Sequence, residues 1–242
     1  MNKNVTEAIT YRRSIRAYQD TEIDTEKVKQ CIYNASLAPT SSNLQLWEFY
    51  HVTDTTKLNQ LAKACFNQSA AKTAKQLVIV VTRKDLWKQR AKANISFLNS
   101  VYNKPDLTAR EQKRKKMATD YYKKIIPTIY TDFLGVLGLL KYFTFQIVGL
   151  FKPIYRQVRS SDMRIVAHKS AGLAAQNFMM SMSEINYDTC PMEGSDTLKV
   201  KQILGLPRGA EINMVISCGI RKPEGVYGPR FRIPFEEVYF KV

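Results

Sequence analysis

The residues able to do chemistry fall in four separated patches. Arg12-Arg13-Ser14-Ile15-Arg16 puts three guanidiniums around one hydroxyl, a set suited to holding a phosphate dianion through forked, charge-assisted hydrogen bonds. Thr40-Ser41-Ser42-Asn43, within APTSSNLQLWEF from Ala38 to Phe49, offers hydroxyls and an amide to a polyhydroxyl chain or the edge of a heterocycle. Cys190-Pro191-Met192-Glu193-Gly194 ends on a glycine, whose missing Cβ lets backbone come close to a flat ligand. Gly228-Pro229-Arg230-Phe231-Arg232 carries alternate arginines, which point the same way on an extended segment.

Other chemistries lack their residues. With only two histidines, His51 and His168, and four scattered cysteines without a CxxC pair, neither a nucleophilic triad nor a zinc cluster can be assembled from the sequence. Cys31, Cys65, Cys190 and Cys218 read as buried small hydrophobes in a reducing compartment. No GxGxxG or GxxxxGK[ST] loop is present, so a bound phosphate must rely on arginines and loop amides. The N-terminal segment has no apolar stretch of signal type, and a cytoplasmic location is the default expectation.

The elements that must position these patches alternate in type. Asn4 and Glu7 have capping-box spacing for a short helix running into Tyr11. Val28, Cys31, Ile32, Ala35 and Ala38 recur at helical spacing up to Pro39. Trp47 to Val52 reads as a strand, Leu58 to Cys65 as a helix, and Leu77-Val78-Ile79-Val80-Val81 as a strand buried on both faces. Ile165, Leu173, Phe178, Met179, Met182 and Ile185 predict a long buried helix, with Ala171, Gly172, Ala174 and Ala175 allowing another helix close approach. Asp196 to Leu204 is a helix stopped by Gly205, and Ile212 to Ile220 another buried strand. The layout is α+β, in one domain spanning 1–242.

Residues 84–160 behave differently. The chain of 242 residues holds 37 Lys+Arg against 21 Asp+Glu, a formal net charge of +16. Between Arg83 and Lys169 stand 19 basic and 6 acidic residues, a surplus of 13 that is most of the total. Lys113-Arg114-Lys115-Lys116 and Lys123-Lys124 flank Tyr121 and Tyr122, and Phe133 to Phe151 follows as a 19-residue apolar run with one charge, Lys141. A helix this apolar needs cover, which a lid, a dimer contact, an interfacial membrane contact or a bilayer span would each supply. Nucleic acid is not expected, because no recognition motif accompanies the charge.

Taken together and in order, RRSIR, APTSSNLQLWEF, PMEG and PRFR resemble the flavin-binding series of the FMN-dependent nitroreductase family. The resemblance covers about residues 5–82 and 162–240 and leaves 84–160 outside. It implies a nitroreductase-like fold, a central mostly antiparallel sheet surrounded by helices in an intertwined homodimer. It also implies FMN as cofactor, with NADH or NADPH as electron donor. By position, Arg12, Arg13, Ser14 and Arg16 would bind the FMN phosphate and ribityl chain, and Arg230 and Arg232 would complete the phosphate site. Thr40, Ser41, Ser42 and Asn43 would come from the partner subunit, and Asn67 would reach the isoalloxazine edge. Pro191, Met192, Glu193 and Gly194 would lie along the ring, with the backbone N–H of Glu193 or Gly194 near flavin N5. Leu46 stands where the family has Pro, a change expected to slacken the loop slightly.

The resemblance further implies hydride transfer from NAD(P)H through flavin N5 to a nitroaromatic, quinone or similar electron-poor acceptor, in ping-pong order. No side chain is expected to act as a catalytic residue, and no metal is expected. Reductive dehalogenation or oxidation of a substrate on the same flavin fold is the alternative, as is a membrane-associated flavin-binding protein.

Overall fold

A computed structural model describes residues 2–133 and 135–242. Leu134, one residue of the long apolar run, lies outside the described residues. Four strands form one antiparallel sheet in the order β1-β2-β4-β3: β1 is Trp47–Val52, β2 Gln76–Thr82, β3 Asp188–Met192 and β4 Glu211–Gly219. The two central strands are therefore β2 and β4, the apolar runs of the sequence, while β1 and β3 are the edges.

Alternation along β2 sends its side chains into two different cores. Leu77, Ile79 and Val81 pack on one face with Leu61, Ala62 and Val200, contributed by helices α3 (Thr55–Ala64) and α10 (Thr197–Leu204). Val78 and Val80 pack on the other with Val28, Cys31, Ala35, Ala171, Ala175 and Phe178, from α2 (Thr25–Ser36) and α9 (Ser160–Glu184). Every residue of β2 is buried, as expected of a strand covered on both sides.

Helix boundaries follow local chemistry. Asn4 and Glu7 form the reciprocal capping box of α1 (Val5–Tyr11), Asp24 caps α2, and Gly205 ends α10 in the left-handed region at φ 62°. The small residues of α9 meet α2, and Ala171, Ala174 and Ala175 are fully buried. Gly172 is different, since a Cβ placed there would touch nothing. Ile165 and Leu173, expected inside, are half exposed; they lie on the side of α9 away from the sheet.

Asp162, near the start of α9, accepts the backbone N–H of Arg159 at 3.0 Å and its Nε–H at 3.1 Å. Those hydrogen bonds from Arg159 hold its carboxyl below the usual value despite burial. A carboxyl depressed by folding stabilises the protein above its unfolded value, and that stability is lost as pH falls through the folded value. Asp162→Asn is thus expected to lower the melting temperature by a few degrees near neutral pH. The difference should close on acidification below the ordinary carboxylate range, which thermal melts across pH check.

The middle segment is helical but broken. It comprises α5 (Trp87–Val101), α6 (Ala109–Asp120), a π-turn over Tyr121–Ile125, α7 (Ile126–Tyr130) and α8 (Val136–Val148). The 19-residue apolar run is not one helix, because Gly135 takes the left-handed conformation before α8 and Gly149 follows it. At 13 residues α8 is about 20 Å long. Among the described residues no helix is long and apolar enough to cross a membrane.

Candidate flavin-type site

RRSIR is displayed by the burial of its neighbours. After α1 the chain runs extended beside β3, Ser14 bridging Thr189 and the Ile15 N–H donating to the Thr189 carbonyl at 3.1 Å. Ile15 and Tyr18 are buried in the core, so Ser14 and Arg16 are turned outward. The Arg16 N–H bonds the Gly225 carbonyl at 2.8 Å. Only glycine fits at 225, since a Cβ there would stand 2.3 Å from the Ala17 carbonyl oxygen.

Arg12, Arg13, Ser14, Arg16, Tyr227 and Arg232 line a cavity of about 240 Å³. Arg230 is fastened beside it, donating to the carbonyls of Thr10 at 2.7 Å and Arg12 at 2.6 Å. Arg13 donates to the Gly228 carbonyl at 2.9 Å. Among the described residues no carboxylate pairs with any of these five arginines. Burial, then the charges of Arg230 and Arg232, lower the Arg12 pKa from its usual value. Like charges crowded without counter-charge are a cost that a bound dianion removes. By contrast Arg221, close in sequence, is matched: its Nε–H reaches Asp188 at 2.9 Å, its backbone N–H reaches the same carboxylate at 2.8 Å, and its guanidinium lies 3.9 Å from the Tyr11 ring centre.

PMEG straddles a strand end. Pro191 and Met192 belong to β3, paired with Ile216 and Val215, and Met192 is buried, whereas Glu193 and Gly194 are exposed. The sequence reading missed β3, because a Pro in a five-residue stretch argues against a strand; β3 is an edge, where Pro is tolerated. Asn67 sits opposite, in a turn where Phe66 and Asn67 take left-handed φ of 58° and 53°. Gln68 joins the two loops, its Nε2 donating to the Gly194 carbonyl at 2.8 Å. Nothing in the sequence singled out Gln68 or Tyr227.

The loop after α2 lies elsewhere. Ser42, Asn43 and Gln45 have φ of 54°, 49° and 48°, three non-glycine residues in a region that costs of order 1 kcal/mol each. The middle segment holds them there. Tyr121 and Ser42 share a hydroxyl hydrogen bond of 2.6 Å, Tyr122 donates to the Ser42 carbonyl at 3.0 Å, and Asn94 donates to the Asn43 carbonyl at 3.0 Å. Thr40 Oγ1 accepts the Gln45 N–H at 3.2 Å, and Ser41 N–H reaches Ser170 at 3.3 Å. Leu46, expected to slacken the loop, is buried with Leu44, Ala91, Ile126 and Ala167 and anchors it.

This loop enters edge strand β1, while the arginine cavity borders edge strand β3. One chain therefore brings together Arg12, Arg13, Ser14, Arg16 and Arg232, with Arg230 alongside, and separately joins the Asn67 turn to Gly194. It does not bring Thr40, Ser41, Ser42 and Asn43 to the arginines.

The histidines and cysteines are engaged within the fold. His51 bonds Gln76 at 2.7 Å and His168 bonds Glu211 at 3.2 Å. All four cysteines are buried, and burial pushes the Cys31 thiol up to about 12 and Cys65 to about 11. Among the described residues no group of His, Cys, Asp and Glu could hold a metal.

Residues 9–220 match the model of the Nitroreductase family, and the chain belongs to that family. Among curated proteins it is similar to Protein DrgA of Synechocystis sp., 24% identical over 89% of this chain and 83% of the relative. Among solved structures, a nitroreductase family protein from Streptococcus pneumoniae superposes with a TM-score of 0.68 at 19% identity, covering 99% of this chain and 100% of that one. NADPH:FMN oxidoreductase from Vibrio harveyi, complexed with NAD+, gives 0.63 at 20% identity over 99% and 77%.

Proposed function

We propose that the protein is an FMN-dependent NAD(P)H oxidoreductase acting on a nitroaromatic, a quinone or a similar electron-poor acceptor. The observation that carries this reading is the cluster of unpaired arginines around Ser14, a donor set that fits a phosphate monoester. The FMN phosphate would be held by Arg12, Arg13, Ser14, Arg16 and Arg232, with Arg230 fixing the rim. When bound, FMN supplies hydride acceptance from NAD(P)H and its delivery to the acceptor.

The chain's part is to bind and orient. Gly194 leaves its outer side open, since a Cβ there would meet only Gln68 Nε2 at 3.6 Å, so Glu193 and Gly194 can present backbone N–H groups to a flat ring. The hydrogen bond from Gln68 fixes that loop against the turn that carries Asn67. Amide dipoles and the arginine charges favour a negatively charged ligand. Donor and acceptor would use one open face in turn, giving ping-pong kinetics.

The site reads as shared between two copies. Thr40, Ser41, Ser42 and Asn43 lie at the opposite sheet edge from the arginines, so the two groups can serve one ligand only if the loop comes from a second protomer. Surface available for a homodimer includes Val5, Ile9, Ile165 and Leu173 on α1 and α9, and Phe231, Phe235 and Phe240 on the C-terminal segment, all more than 45% exposed. Apolar surface of this extent marks an interaction site. The cytoplasm is the location we assign.

Steady-state assays test the activity. Oxidation of NADH or NADPH should depend on added nitroaromatic or quinone and on FMN, with parallel double-reciprocal lines. A protein whose FMN is bound but never reduced by either nicotinamide would instead support the alternative redox reactions, reductive dehalogenation or substrate oxidation.

A further inference from the structure

We propose that α8 is a docking helix for an anionic lipid surface, independently of which acceptor the enzyme reduces. Val136, Leu140, Phe143 and Ile147 recur at helical spacing on one side of α8, and Leu150 and Phe151 continue the stripe. Their exposures run from 57% to 84%. A contiguous apolar stripe of this kind is not left in water without a partner.

The one charge of the run is removed from that face. Lys141 Nζ turns back to donate to the carbonyls of Thr128 at 3.0 Å and Ile129 at 3.1 Å, the free end of α7. Asp132 accepts the Gly138 N–H at 2.8 Å, and Arg156 donates to Gln146 Oε1 at 2.7 Å. Polar contacts thus fasten α8 to the segments that flank it while its apolar side stays outward.

Charge selects the occupant. Lys152 directly follows Phe151, and Tyr155 and Arg156 stand three and four residues further on, all exposed. This places cations and an aromatic at the end of the stripe, where headgroups would lie. The wider segment carries the surplus of 13 positive charges. Two such segments brought face to face would repel, which disfavours a second copy as the partner. Nucleic acid would leave the apolar stripe uncovered. An anionic bilayer satisfies both features, with each nearby Lys or Arg adding to the attraction. At about 20 Å, α8 is too short to span and long enough to lie flat.

The test is co-sedimentation of FMN-loaded full-length protein with phosphatidylcholine vesicles, plain or containing about a quarter phosphatidylglycerol. The protein should sediment with the anionic vesicles only and should be released by raising salt towards about 1 M. Phe143→Glu with Ile147→Glu should lose about tenfold or more in binding, and Lys152→Glu should weaken it too. Both variants should keep wild-type circular dichroism, flavin content and turnover of a water-soluble acceptor. The proposal is overturned by failure to sediment, by equal binding to plain vesicles, or by variants that bind like wild type. It is equally overturned if, without lipid, the Phe143/Ile147 variant is a smaller oligomer than the wild type, which would give the stripe to a protein contact.

Discussion

Arg12→Ala combined with Arg230→Ala is expected to weaken FMN binding by about ten- to a hundredfold while leaving the fold intact. The guanidinium-to-phosphate bond that Arg12 would make is charge-assisted and contributes about 1.5–3 kcal/mol, or about one to two decades in Kd, and the loss of Arg230 adds to this through the backbone it holds. The two residues do different work. Arg12 lines the cavity and has its pKa lowered by burial and by its cationic neighbours. Arg230 clamps the carbonyls of Thr10 and Arg12 and so fixes the backbone that presents the cavity. Arg12 is half-buried and Arg230 exposed, and neither belongs to a core, so the melting temperature of the apoprotein should change little. Titration of FMN fluorescence against apoprotein measures the effect; unchanged affinity would remove the phosphate assignment.

Phe178→Ala is expected to cost about 3–5 kcal/mol of stability, because the ring is fully buried and leaves a cavity that its neighbours cannot fill. Phe178 lies at the middle of the core formed by α9, α2 and the Val78, Val80 and Ile216 face of the sheet. For a chain of this length that loss lowers the melting temperature by about 10 °C. The same change should leave the arginine cavity intact, since the cavity borders β3 and the C-terminal segment. Thermal melts and FMN affinity together distinguish a packing residue from a binding one: the first should move and the second should not.

The main elements of the fold were legible because their signals are local and strong. The capping box at Asn4 and Glu7, the apolar runs of β2 and β4 and the stop at Gly205 each specify their own element. The arginines of RRSIR were legible as a cluster for the same reason, and the fold gathers them on one cavity. What escaped depends on tertiary context. β3 was hidden by Pro191, which an edge strand accepts. Ile165 and Leu173 carry helix-face spacing but turn away from the sheet, and spacing alone cannot say which face is covered. Gln68 and Tyr227 are ordinary in type, and only folding brings one to Gly194 and the other to the arginines. Tyr121, Tyr122 and Asn94 grip a loop some 50 to 80 residues earlier, a pairing without a sequence signature. The apolar run was read as one helix because periodicity does not register the left-handed turn that Gly135 makes.

The charge that dominates the composition divides in two. For the arginines of the cavity we propose a phosphate-bearing ligand. The surplus of the middle segment belongs to the stretch that includes α8 and the helices that hold the Thr40–Asn43 loop, so one segment both braces part of the proposed site and offers a surface outside it.

FMN held in the arginine cavity and reduced there by NAD(P)H would give the protein a direct optical signature. An absorbance spectrum of the purified protein, taken before and after anaerobic addition of NADPH or NADH, tests this most directly. Flavin bands corresponding to one FMN per chain are expected, bleached on addition of the nicotinamide. A colourless protein that cannot be reconstituted with FMN would contradict it.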